Sequence, residues 1–453
     1  MMNDLRTKLK TFWVKNRSLI VGLLIFLIAF ELRLAYLENT IVQNPIRADA
    51  KKYVGYATNI VLRGVYSQEL TDNPKPDTQV TPGYPFFLAA IMTLSKNFKA
   101  FYVNVLSIQA IMGALTAVLA FMIGMNLVPF GFAALAGIFT AFSPHLITMT
   151  GYVLTETLFT FLSSLGLWLL FVAYRKNKLA LYLMASIVFG LAGLVRPALL
   201  LFPIFISILV FFYLKPTNRV LIVFLILIGV FSMMLPWSLW AKYKATKTNK
   251  AGLALSSLVL GSYPNLTYKD STLKGFPYRE DPHYNAMTKD FRFALKTVAN
   301  RAAEDPIKYL KWYLLGKPLM FWNWEILVGQ GDIYVYPVTS SLYKTNHYAE
   351  MTRVGMKHLH PIFILMALSG FLIMILPFGR WENPPRTKAL MLILYSFLIY
   401  FTLVHTGLTP LPRYAIPLRP MLYVGALIFV ERLFFLGKSH DIVIKNAKRA
   451  QST

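Results

Sequence analysis

The chain has 453 residues, 56% of them hydrophobic and 15% charged, with a formal net charge of +26 and no cysteine. A water-soluble chain of this size carries roughly a quarter charged residues, so a soluble globular protein is excluded, and the lack of cysteine excludes disulfides, thiol chemistry and cysteine-ligated metals. The basic residues lie between apolar stretches without any zinc-finger or RNA-binding signature, which excludes nucleic acid as the partner; membrane orientation and the handling of anionic lipid phosphates account for the charge.

Apolar runs of about 18 or more residues recur, each long enough to cross a bilayer as a helix. At the N-terminus Lys8, Lys10, Lys15 and Arg17 precede the run 19–30. No small-x-small cleavage site follows, and Glu31 and Arg33 come next. An uncleaved first span is expected. Ten spans follow from the hydropathy pattern: 18–37, 101–124, 129–148, 154–174, 179–196, 198–214, 219–240, 360–378, 388–405 and 416–436. Eighteen Lys and Arg fall in the termini and short loops that share the N-terminal side, among them Lys215 and Arg380. The opposite short corners carry only Arg196, Arg413 and Arg419. This asymmetry predicts both termini in the cytoplasm and the long segments 38–100 and 241–359 outside. No internal repeat is visible.

The first outside segment predicts a helix capped by Asn44, with Pro45 in its first turn and Gly64 at its end. It is too short and polar to span and is expected in the interface. Thr81-Pro82-Gly83-Tyr84-Pro85 predicts a rigid turn leading into a second interfacial helix, 86–95. Asp72 and Asp77 stand in a Pro-rich turn and read as solvated. The second segment opens on Lys242, Lys244, Lys247 and Lys250. It predicts helices starting at Asp290 and at Asp305-Pro306, then an aromatic interfacial stretch around Phe321, Trp322 and Trp324. The chain divides into an N-terminal membrane module, 1–240, an outside loop, 241–359, and C-terminal spans with a basic tail, 360–453.

Ionisable groups at membrane level are costly and often functional. Helical spacing puts Asp49 and Tyr53 on one face, with Lys52 and Tyr56 beside it; an ordinary solvated face is the plainer reading. Glu156, where the fourth span begins, is either a helix-dipole partner or a second acid. Arg196, Arg413 and Arg419 at outer ends either snorkel to headgroups or hold a phosphate through paired donors. The histidines, including His145, His347 and His360, form no ligand spacing. No cofactor is expected, and a divalent metal has no motif behind it.

Asp49-x-x-x-Tyr53-x-x-x-Ala57 with Gly64, then the motif at 81–85, resembles the outer loop of GT-C-type membrane glycosyltransferases. Ser143-Pro144 with Thr155-Glu156, Val195-Arg196-Pro197, Leu235-Pro236-Trp237 and Arg413-Tyr414-x-x-Pro417 follow in matching order. The branch it resembles is the bacterial relatives of protein O-mannosyltransferases and of the lipid A aminoarabinose transferase. The resemblance implies an all-α polytopic fold with interfacial helices in the first outside loop. It implies Asp49 as catalytic general base, with Glu156, also counted as catalytic, in the second outside loop close to the same cavity. Lys52, Tyr53, Tyr84, Arg196, Arg413 and Tyr414 would bind substrate, the arginines at the donor phosphate. The expected donor is a polyprenyl-phosphate sugar, the acceptor a lipid, glycan or protein, and the setting the outer face of a bacterial inner membrane. Two departures stand: Ser238-Leu239-Trp240 replaces the family's Arg-Asn after Pro236-Trp237, and no soluble domain follows the last span, which leaves acceptor recognition to the loops. A transporter or flippase of a lipid-linked sugar, or a non-catalytic envelope assembly factor, are the competing readings. Internal repeats and mid-span charges would mark the first.

Overall fold

The computed structural model describes residues 2–214, 216–246, 252–269, 271–375 and 385–450. Lys215, Lys247, Lys250, Arg380 and positions 376–378 of the eighth expected span lie outside the described residues. The architecture is that of an all-α polytopic membrane protein. Helix α1 (Met2–Asn39) leads to strand β1 (Ile41–Val42), then α2 (Ala48–Arg63), α3 (Gly83–Thr93) and α4 (Phe98–Gly124). A broken pair, α5 (Phe130–Ala141) and α6 (Pro144–Thr148), precedes α7 (Glu156–Lys176), α8 (Leu179–Val195), α9 (Phe202–Leu209, prolonged by Val210–Leu214) and α10 (Arg219–Lys244). The long segment before α17 contributes α11 (Gly252–Gly261), α12 (Tyr284–Met287), α13 (Phe291–Glu304), α14 (Pro306–Lys311), α15 (Lys317–Phe321), β2 (Val338–Ser340) and α16 (Leu342–Thr345). The chain closes with α17 (His347–Ile375), α18 (Pro385–Gly407) and α19 (Arg419–Ala450).

Among the described residues eight helical segments are long and apolar enough to span, nine if the bent pair 130–151 counts as one, against the ten expected. Prolines explain both shortfalls. Ser143 and Arg196 each precede a proline and are extended, at ψ 112° and 113°, because the residue before proline is pushed out of the helical region. The third span is therefore bent by 50°, and α8 stops at 17 residues. Helix α8 packs between α7 and α10, and α17 packs on α19. A large apolar core runs through this bundle, with a second cluster where α17 meets α19.

The first outer helix starts later than its sequence predicts. Asn44 is left-handed (φ 46°) rather than a cap, and α2 begins at Ala48 with no side-chain cap. Gly64 does end it, at φ 65°, its N–H meeting the Asn59 and Ile60 carbonyls. Asp77 is also a correction. It is buried and accepts from the Tyr56 hydroxyl and from the Gln68 and Gln79 amides. Burial is tolerated because those donors satisfy it. Tyr56 thus braces the loop rather than facing the same way as Asp49.

The helices expected from Asp290 and from Asp305-Pro306 are present, each capped by that aspartate. Asp290 accepts from Arg292 and Phe293, and Asp305 from Lys308. The two long segments between spans are joined by antiparallel pairing of β1 with β2, Ile41 opposite Ser340 and Val42 opposite Val338. Helix α17 carries the outer loop on salt bridges. Arg353 meets Asp332 at 2.5 Å and Lys357 meets Glu325 at 2.6 Å.

Candidate active site

Four elements end at one pole of the bundle and bring their charged residues together. The motif 81–85 sets part of the geometry. Gly83 starts α3 against the last turn of α8, where a Cβ would lie 2.7 Å from the Val195 nitrogen. Thr81 Oγ1 donates to the Val195 carbonyl at 3.3 Å. Only glycine allows this approach, which fixes the end of α8 and hence Arg196.

Arg196 turns inward. Its Nε donates to Thr155 Oγ1 at 2.8 Å and its Nη2 to Glu156 Oε1 at 2.6 Å. Glu156 lies in the first turn of α7, and its side chain is 1% exposed. Arg413 reaches the same Oε1 at 2.9 Å through Nε, and donates from Nη2 to Asp49 Oδ2 at 3.2 Å. Lys52 stands 3.7 Å from Asp49 Oδ1. Arg413 therefore bridges two carboxylates 107 positions apart in sequence, from Asp49 to Glu156. A buried acid held by two guanidinium groups is compensated, whereas alone it would be strongly destabilising.

The two acids differ in access. The Asp49 side chain is 37% exposed. It lines a cavity of about 140 Å³ with Ile326, Leu327, Val328, Pro412, Arg413 and Tyr414. Burial alone would raise its pKa, but Arg413, then Lys52 and Arg196, outweigh that and hold it below the usual carboxylate range. Asp49 is thus ionised at neutral pH and open to a ligand, while Glu156 is enclosed. Tyr414 lies beneath both arginines, with guanidinium carbons 5.4 Å and 5.9 Å from its ring centre.

Of the expected binding residues, Lys52, Tyr53, Arg413 and Tyr414 surround Asp49. Tyr84 is fully buried. It packs edge-on against Tyr53 at 5.1 Å and donates to Gln109 Oε1 at 2.9 Å, so it supports Tyr53 from behind rather than reaching the cavity. Arg419 is not brought to the site. It is buried beside Trp324, 5.1 Å from the ring, near His145 and His360.

Sequence reasoning missed Tyr336, which arrives from the long loop. Its hydroxyl donates to the Arg47 carbonyl at 3.0 Å and accepts from the Ala50 amide at 3.4 Å, pinning the first turn of α2. Burial first, then Asp49, pushes its pKa up to about 12. No local signal marks this tyrosine, since its role depends on a contact 286 positions away. Among the described residues no group of three or more His, Cys, Asp or Glu is gathered as a metal site requires.

Residues 75–240, just over a third of the chain, match the family model for dolichyl-phosphate-mannose-protein mannosyltransferase. That stretch holds Tyr84, Glu156 and Arg196 but neither Asp49 nor Arg413. No curated protein matches the chain significantly. Among solved structures, the oligosaccharyltransferase AglB from Archaeoglobus fulgidus, in complex with an inhibitory peptide and a dolichol-phosphate, superposes with a TM-score of 0.55. Identity is 13%, over 96% of this chain and 52% of that one. The same archaeal enzyme tethered to an acceptor peptide gives 0.54 at 15% identity, over 94% of this chain and 50% of that one. ArnT from Cupriavidus metallidurans bound to undecaprenyl phosphate gives 0.46 at 11% identity, over 93% and 60%. The chain spans about half the length of the AglB structures.

The chain shares the fold of the AglB oligosaccharyltransferase structures. Within it, residues 75–240 are similar to the dolichyl-phosphate-mannose-protein mannosyltransferase family.

Proposed function

We propose that this protein moves a sugar from a polyprenyl-phosphate donor to an acceptor hydroxyl on the outer face of the membrane, with inversion at the anomeric carbon. The observation that supports this most is the pairing of an accessible, ionised Asp49 with Arg413 at the edge of one cavity. Asp49 takes the proton of the acceptor hydroxyl as its oxygen bonds to the anomeric carbon. The bond from that carbon to the phosphate oxygen breaks, and its electron pair leaves with polyprenyl phosphate. The phosphate gains one negative charge, and with a second pKa of roughly 6 it needs no protonation at neutral pH. One base suffices, and cations stabilise the departing charge. Arg413 and Lys52 supply them, while Glu156 aims both arginines. A hydrolase acting on an ordinary glycosidic oxygen needs a second carboxylate as acid; here Glu156 is shielded and bound to arginine, which suits positioning instead.

The test is transfer in vitro. Purified protein in nanodiscs, given radiolabelled polyprenyl-phosphate hexose or pentose and an envelope extract, should release polyprenyl phosphate and label an extract component. Binding of donor with no labelled product under any acceptor fraction would favour the transporter reading.

The face is tested separately. The segment holding Ser271 is read as outside, opposite the cation-rich ends such as Arg175 and Lys176 of α7. A reporter fused at Ser271 should be active only in the extracytoplasmic space; cytoplasmic activity would invert the scheme.

A further inference from the structure

Beyond the bundle, the outer segment has a small core of its own, built from Leu255, Val259, Tyr263, Met287 and Ala294. Beside it opens a second cavity, about 190 Å³, unrelated in residues to the one at Asp49. Its walls are three tyrosines, Tyr263, Tyr268 and Tyr309, with Arg301, Glu304 and Lys308 among the polar groups. The arrangement is pre-set. Asp281, whose side chain is fully buried, accepts from the Tyr263 hydroxyl and from Arg301 at 2.7 Å. That bond lays the guanidinium 5.3 Å from the Tyr263 ring centre and 5.7 Å from that of Tyr268. Of the lining residues Lys269 is left-handed without being glycine, at φ 48°, and so are Asn265 and Leu266, both at φ 56°, between the lining residues Pro264 and Thr267. Such backbone is costly and tends to collect at ligand clamps.

We propose that this cavity binds a sugar ring, and that it docks the glycan part of the acceptor. The chemistry selects that class. A sugar offers a C–H face to an aromatic ring and a rim of hydroxyls to charged donors and acceptors. Tyr268 and Tyr309 provide the rings; Lys308 and Lys269 donate, and Glu304 accepts. An anion is disfavoured, because Arg301 is already neutralised by Asp281 and both Glu304 and Asp305 line the walls. A purely apolar ligand would strand the same charges. The position fits an acceptor. Helix α11 leads into Tyr263 and is bonded to the loop after α18, Ser257 to Thr409 at 2.9 Å and 2.6 Å, while Trp312 Nε1 donates to the Gly261 carbonyl at 3.0 Å. That loop continues through Leu411 and Pro412 into the wall of the Asp49 cavity.

The acceptor role rests on the glycosyltransferase reading; the binding itself does not. The experiment is saturation-transfer NMR on the full chain in nanodiscs, with methyl α-mannoside, methyl β-glucoside and a β-1,4-linked disaccharide of N-acetylglucosamine as probes. Ring C–H protons of at least one probe should receive saturation. Tyr309→Ala and Glu304→Gln, both outside the Asp281 clamp, should each weaken that binding roughly tenfold and leave polyprenyl-phosphate binding unchanged. Absence of saturation on every probe, or signals indifferent to both variants, overturns the site. Sugar binding without any transfer activity would keep the site and remove its role as an acceptor subsite.

Discussion

Asp49→Asn is expected to lower sugar transfer by about 10²–10⁴-fold, the contribution a positioned general base makes, while donor binding persists. Asparagine keeps the size of the side chain and can still accept from Arg413, so the cluster stays assembled; what disappears is the ability to take a proton. The pH profile adds a second reading. Asp49 is held below the usual carboxylate range by Arg413, Lys52 and Arg196 against the opposing effect of its burial. The base form therefore dominates above that depressed pKa. Activity of the parent should fall on acidification only when the pH passes below the ordinary carboxylate region. The asparagine variant should show no such limb. Near-parental turnover by Asp49→Asn at pH 7 would dismiss Asp49 as the base.

Arg413→Ala tests the other half of the pair, and its effects should be at least as broad. Losing the guanidinium removes the leading cause that depresses Asp49, yet leaves the burial that raises it. The acid limb should then move to higher pH, a displacement that simple loosening of the fold would not produce. Donor affinity should also fall by roughly ten- to a hundredfold, the equivalent of charge-assisted hydrogen bonds of about 1.5–3 kcal/mol. Glu156 would keep Arg196 and Thr155 as partners. The loss of stability should accordingly stay under the ~3–5 kcal/mol of an uncompensated buried charge. Arg413→Lys should restore the limb in part and the donor affinity less well, since an ammonium cannot span two carboxylates as a planar fork does. An unmoved limb together with unchanged donor affinity would take Arg413 out of the mechanism.

The bundle was legible because hydropathy is a property of continuous stretches. Asp49 with Lys52 was legible for a similar reason, since helical spacing fixes neighbours three and four apart. Asn44-Pro45 misled because cap chemistry is local, while the start of α2 is set from afar by Tyr336 on Arg47 and Ala50. Asp77 misled in the same way. A Pro-rich turn reads as solvated, yet Tyr56 and two amides fold over its carboxylate. Spacing left the direction of Arg196 and Arg413 open between headgroups and a site, and only the resemblance pointed them inward. Whether an arginine at a span end meets headgroups or a carboxylate depends on which helix ends share the pole, and no spacing rule reaches across 364 positions.

That separation has a temporal side. Asp49 emerges from the ribosome early, and the residue that depresses its pKa follows 364 positions later. At about 5–20 residues per second the interval is roughly 20–70 seconds. Once residue 196 is made, Glu156 and Arg196 can pair, but Asp49 waits for Tyr336 to hold its helix and longer still for Arg413 to stand beside it. The nascent chain thus carries Asp49 through the insertion machinery in an unassembled state, and the charge cluster closes only when the last spans dock. A chain cut short before residue 413 would be inserted and largely packed, yet without the arginine that joins its two acids.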